Sequence, residues 1–238
     1  MLGYLFIVGI STIVGMFITG RLRSTFKKYG EIPMSNGLTG AQVAQVMLKH
    51  HNIHDVKIVP RKGVLTDHYN PLTKTIALSE PVYSSRSISA GAVAAHECGH
   101  AIQHATKYGA MHLRSVMVPF IQMSAKIQQF LFIGILMGIG TDILTSSWGL
   151  GLLTLTFGST ALFALVTLPV EFDASKRALA WLDDTDILKD GTEYDGAKEG
   201  LKWAAMTYVA NALSALVIFL YFGWNLMQSR GAGHLPRV

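Results

Sequence analysis

His96 and His100 stand four residues apart with Glu97 beside the first, and Cys98 and Gly99 complete an H-E-x-x-H pentad. The surrounding run, Val93 to Ile102, is small, apolar and compatible with a helix. On a helix, residues i and i+4 project from one face a turn apart. Two imidazoles placed that way can share one Zn²⁺ ion. Glu97 can then reach a water on that ion and act as general base. The chemistry indicated is metal-assisted hydrolysis. The competing reading is a surface helix with solvated histidines. The apolar flanks argue against it, because a buried helix does not carry such groups without partners.

Catalytic zinc usually takes three protein ligands and leaves one position for water. His104 lies eight residues beyond His96, about 12 Å along a straight helix axis. One tetrahedral ion cannot bridge that gap, so His104 is expected to line the cleft or cap the helix. The metzincin pattern would need Gly at position 103 and His at 106, where this chain has Gln103 and Thr106. The run from Leu168 to Ala178 offers two acids instead. Glu171 and Asp173 are two residues apart and point to nearly opposite faces of a helix. Asp173 can pair with Arg177 at i+4. Glu171 shares its face with Ser175 and Ala178, small residues able to pack against the pentad helix. Glu171 is therefore the expected third ligand and Asp173 the alternative.

These residues need elements to carry them. The chain has 238 residues, half of them hydrophobic and 15% charged, which is too apolar for an ordinary soluble domain. Four stretches read as membrane spans, near Leu2–Gly20, Ile127–Leu144, Leu150–Val170 and Tyr208–Met227; each has roughly the 17–25 residues a span needs. The first lacks a charged leading region and a clear cleavage site, and Arg21, Arg23, Lys27 and Lys28 follow it, so it is expected to be an uncleaved anchor. Twelve Lys or Arg fall between Arg21 and Met117, none between Thr145 and Gly149, and five between Lys176 and Lys202. Positive residues favour the cytoplasm, which puts the amino terminus outside and both charged regions inside. Two arginines in the tail after Met227 run against that pattern. The net charge of +5 is thus read as topology, with no aromatic-interleaved basic patch for nucleic acid. One cysteine, Cys98, excludes an internal disulfide framework. The expected organisation is an anchor over 1–20, a catalytic region over 21–126, two spans over 127–170, a helical segment over 171–207 supplying the third ligand, and a fourth span with tail over 208–238. Segments separated by two spans share a side, so the pentad and Glu171 can meet.

Within the catalytic region, Leu38 to His50 reads as an amphipathic helix capped by Thr39. Val56–Pro60 and Lys74–Leu78 read as strands, with a turn at Asn70-Pro71. The pentad helix is expected to begin near Ser87 or Ser89. Between the strands, His68 or Tyr69 could donate to the oxyanion of a tetrahedral intermediate. Asp183, Asp184, Asp186 and Asp190 read as solvated charges, and Gly134, Gly138 and Gly140 as close helix packing in lipid. An exposed sheet edge can take an extended peptide as an added strand.

The residues Arg23 to Tyr29, Gly37 to Ala41, Leu65 to Tyr69, Ala94 to Thr106 and Thr167 to Ala174 together resemble the YugP-type membrane zinc metallopeptidases of bacteria. The resemblance spans nearly the whole chain. It implies a membrane protease with zinc bound through the pentad histidines, and a small sheet packed on the active helix. A more distant similarity is to the HtpX heat-shock proteases and the CAAX prenyl proteases. Those pair the pentad with a later Glu in an E-F-x-A-D type motif. Glu171-Phe172-Asp173-Ala174 matches its first four positions, while Ser175 stands where those families carry the Asp that would orient a metal histidine. Ser175 or Asp173 is expected to take that role.

The expected protein is mainly α: a polytopic membrane protein with about four transmembrane helices and a small α+β zincin-like catalytic region. The expected function is a membrane-embedded, gluzincin-like zinc endopeptidase in the bacterial inner membrane, its site facing the cytoplasm. Its substrates would be membrane or membrane-proximal proteins, cleaved by a Glu97-activated water on zinc held by His96, His100 and Glu171. The alternative is a non-catalytic membrane scaffold or chaperone-like protein with a structural zinc site. A transport protein is disfavoured, because the spans are poor in ionisable residues.

Overall fold

The protein is described from a computed structural model over residues 2–137, 146–189 and 191–231. Gly138, Gly140, Asp142, Asp190 and the tail beyond Gly231 lie outside the described residues. The element order is α1 (Leu2–Gly30), α2 (Gly40–His50), β1 (Lys57–Arg61), β2 (His68–Asn70), β3 (Thr75–Ser79), α3 (Glu80–Tyr83), α4 (Ile88–Ala105), α5 (Gly109–Leu136), α6 (Ser147–Asp184) and α7 (Thr192–Gly231). The protein is mainly α. Four of its helices, α1, α5, α6 and α7, are long and apolar enough to cross a membrane.

The chain divides into two compact units. The first comprises Met1–Met16, Leu113–Leu168 and Tyr208–Val238. It is built from the apolar parts of the four long helices. Phe6, Ile13, Phe120, Phe130, Leu155, Leu220 and Trp224 are exposed on it, as suits a surface solvated by lipid rather than water. Inside, Phe222 stacks on Phe157 at 5.3 Å between ring centroids and meets Tyr4 at 5.5 Å. Polar residues face partners on neighbouring helices: the Ser124 and Ser159 hydroxyls lie 3.0 Å apart, and Gln128 Nε2 donates to Thr160 Oγ1 at 3.3 Å. The helix α5 begins at Gly109, well before the apolar run starting at Ile127. Gln122, Ser124 and Lys126 dilute the hydropathy of its first half, yet Ser124 is turned inward to a partner.

The second unit comprises Phe17–His112 and Pro169–Thr207. Its core gathers Val43, Met47, Ile76, Leu78, Ile88, Ala94, Cys98, Val170, Ala178, Trp181 and Leu182. The helix α2 starts where its cap dictates. Thr39 Oγ1 accepts from Gln42 N at 3.2 Å and Gln42 Oε1 accepts from Thr39 N at 2.8 Å, a reciprocal capping box. Gly40, just inside it, leaves room for backbone: a Cβ there would stand 2.3 Å from the Val82 carbonyl oxygen. Three strands form one sheet in the order β1-β3-β2. β3 pairs parallel with β1 (Ile58 opposite Ile76) and antiparallel with β2 (Tyr69 opposite Ile76). The stretch His68–Asn70, read from sequence as lying between two strands, is thus itself a short edge strand. Three residues are too few for alternation to show. The hairpin after it is set by Asn70, whose Oδ1 accepts from Leu72 N at 2.9 Å and Thr73 N at 3.3 Å.

Candidate metal centre

The pentad lies in the buried middle of α4, a helix whose start is fixed by Ser87: its Oγ accepts from Ala90 N at 3.3 Å. The helix can be buried because its residues are small. Gly91, Ala92, Ala94, Ala95, Gly99 and Ala101 let other elements approach its backbone. Gly99 matters most. A Cβ built there would stand 2.5 Å from the Ala174 carbonyl oxygen and 3.0 Å from Ala174 Cα. The absence of a side chain between Cys98 and His100 is what allows α6 to lie against the pentad.

That contact carries Glu171 over the histidine pair. His96 Nε2 is 3.3 Å and His100 Nε2 is 3.5 Å from the same Glu171 Oε2. The ligand atoms of the three residues all lie within 4.8 Å of one another. Glu171 is 1% exposed and the His100 residue 6%. The two imidazoles meet edge to face, with ring centroids 4.8 Å apart. Two imidazole nitrogens and one carboxylate oxygen are the donor set that zinc takes in catalytic sites. Asp173, the alternative ligand, is outside this group. Its Oδ2 accepts from Arg177 Nε at 2.6 Å, the i+4 pair expected from sequence, and from Gln103 Nε2 at 2.8 Å.

Both histidines are held from behind. Ser175 Oγ lies 3.1 Å from His96 Nδ1. Gln103 Oε1 lies 3.0 Å from His100 Nδ1. With each Nδ1 occupied, each Nε2 is left to face Glu171, an orientation ready for a shared ion. Ser175 therefore stands on His96, and Asp173 reaches His100 only through Gln103. Gln103 is the residue that sequence reasoning missed: it entered only as a departure from another pattern. The available signal was its place one turn after His100 on a buried helix, where a polar side chain needs a partner.

Glu97, 7% exposed, faces the strand side of the helix. Burial pushes its carboxyl up to about 7; the Glu171 and Asp67 carboxylates add to this, while His96 and the backbone N–H of Tyr69 oppose it. That N–H is on β2. β2 is the outer strand of the sheet, paired on one side with β3. Burial likewise raises the Cys98 thiol, whose Sγ donates to the Ala44 carbonyl at 3.5 Å.

His68 and Tyr69, neighbours in β2, face opposite ways, as strand geometry requires. Tyr69 is buried, and its hydroxyl lies 2.8 Å from His104 Nδ1, one turn past His100. Burial pushes the phenol up to about 12, with Asp55 adding to the shift, so it stays protonated beside His104. His68 Nδ1 donates to the Thr66 carbonyl at 2.9 Å, which leaves Nε2 to accept from Arg61 Nη1 at 3.2 Å. The structure gathers His96, His100, Glu171, Ser175, Gln103 and Glu97 around α4. It sets Tyr69 on the next turn through His104 and occupies both nitrogens of His68 elsewhere.

A family described as "Putative neutral zinc metallopeptidase" matches residues 4–227 of the chain. The chain is also 39% identical over 210 residues to "Putative membrane protease YugP" of Bacillus subtilis (strain 168), covering 88% of this chain and 90% of that protein. No solved structure matches it significantly.

Proposed function

The chain belongs to this family of neutral zinc metallopeptidases, and from that premise we propose that it is a membrane endopeptidase whose zinc ion is held by His96, His100 and Glu171. The observation that carries the reading is the convergence of three ligand atoms within 4.8 Å on the buried face between α4 and α6. Bound zinc would supply Lewis acidity, lowering the pKa of a coordinated water and polarising the scissile carbonyl. Glu97 takes a proton from the attacking water onto its carboxylate and returns it to the leaving amine. Its elevated pKa suits a group that must accept and release a proton near neutrality. A structural zinc site would need ligands only, so a buried carboxyl between them favours catalysis over a scaffold. The Tyr69 hydroxyl is the proposed donor to the oxyanion; His68 is turned to Thr66 and Arg61.

The substrate is an extended peptide paired to the free edge of β2. The opposite edge, β1, carries Lys57, Pro60 and Arg61, residues that discourage strand addition. Glu171 follows the apolar run of α6 by only three residues after Leu168, which supports substrates in or near the membrane. The positive residues after α1 support a cytoplasmic site in a bacterial cell membrane.

Two variants test the reading in the full chain. Glu97→Gln keeps zinc and helicity but loses peptide hydrolysis; unchanged cleavage would remove Glu97 as the base. Glu171→Ala loses most of its zinc by metal analysis; full stoichiometry would mean another ligand. Proteins retained on the Glu97→Gln variant in native membranes identify the substrate.

A further inference from the structure

The side chain of Gln103 is wholly buried and spans from α4 to α6. Its amide orientation is fixed by its partners. Nε2 donates to the Val170 carbonyl at 2.7 Å and to Asp173 Oδ2 at 2.8 Å, both pure acceptors. Turning the amide over would set Oε1 against those two oxygens, so Oε1 must face His100. An amide oxygen only accepts, and it lies 3.0 Å from His100 Nδ1. Nδ1 must therefore carry the proton, which leaves the Nε2 lone pair for a metal. Asp173 is in turn held by Arg177, whose guanidinium carbon lies 5.9 Å from the centre of the Tyr108 ring. The contacts run His100–Gln103–Asp173–Arg177, and the helix that presents Glu171 also dictates the tautomer of His100.

We infer that Gln103 is a positioning residue of the metal centre: held by Val170 and Asp173 on α6, its amide oxygen fixes His100 as the Nδ1–H tautomer that can bind zinc. The inference rests on the ligand set proposed above. It is distinct from generic packing, because what matters is an acceptor at this point and not the volume filled.

The test is zinc affinity by chelator competition on the full chain in detergent, with His100→Ala as control. Gln103→Leu removes the acceptor and is expected to weaken zinc by about 10- to 100-fold, as loss of a partner behind a metal histidine typically does. Gln103→Glu keeps an oxygen facing Nδ1 and, held protonated by the Asp173 carboxylate beside it, keeps one donor toward Asp173 Oδ2; it is expected to bind within about threefold of wild type. Any outcome in which the Leu and Glu variants bind zinc alike overturns the inference. Should His100→Ala bind zinc normally, the ligand set itself is wrong, and this failure is distinguishable from the first. If either variant fails to fold, the ¹⁵N-histidine spectrum of the metal-free wild-type chain at mildly alkaline pH decides. A proton on Nδ1 of His100 supports the inference and a proton on Nε2 overturns it.

Discussion

His96 and His100 differ in what stands behind them: a serine hydroxyl at 3.1 Å for one and an amide oxygen at 3.0 Å for the other. A hydroxyl is a weaker partner than the carboxylate carried at that position by the more distant proteases. Ser175→Ala should therefore loosen zinc by about tenfold, and Ser175→Asp should bind it at least as tightly as wild type. Chelator competition on the purified chain reads both. Equal affinity in all three proteins would show that the hydroxyl only fills space. Glu171 and Asp173 illustrate how much of this scale was legible. Their two-residue offset separates them onto different faces of α6, and Ser175 shares the face of Glu171; both follow from helix period alone. Gln103 was not legible, because its role depends on a carbonyl and a carboxylate from a helix some seventy residues later in the chain.

The helices meet through backbone. Gly99 sits between His96 and His100 and lets the Ala174 carbonyl approach to a distance that no Cβ would permit. Gly99→Ala should push α6 from α4, cost about 1–3 kcal/mol as overpacked sites do, and lower zinc content more than its stability loss explains. Thermal unfolding and metal analysis together check this. A variant with wild-type zinc and melting would mean that the contact relaxes freely. The caps were readable: Thr39 and Ser87 begin α2 and α4 as expected. The start of α5 and the strand β2 were not. The first is hidden by polar residues such as Ser124 that find partners on another helix. The second is too short for periodicity and exists because β3 pairs with it. The free edge of β2 is in turn a product of that pairing.

Four apolar helices and the distribution of basic residues make this a membrane protein with a proposed orientation. Cysteine labelling in whole cells tests it. The native Cys98 is fully buried and contributes little background. Val64, 73% exposed in the second unit, and Trp148, 66% exposed at the start of α6, are suitable positions. With an impermeant maleimide, Trp148→Cys should label on intact cells and Val64→Cys only after permeabilisation. The reverse pattern would place the candidate metal centre outside the cytoplasm.

The sequence alone determined the candidate metal-binding pair, the acid beside it proposed as base, the apolar helices and the second acid best placed to complete the set. These features follow from residue type and spacing within single segments, which helix period and hydropathy report directly. The tertiary structure decided what depends on segments meeting. It placed Glu171 over both imidazoles, gave each Nδ1 its own partner, turned Tyr69 toward His104 and His68 toward Arg61, and made β2 the outer strand of the sheet. Those contacts join residues far apart in the chain, and no local pattern encodes which backbone a glycine such as Gly99 will allow to approach.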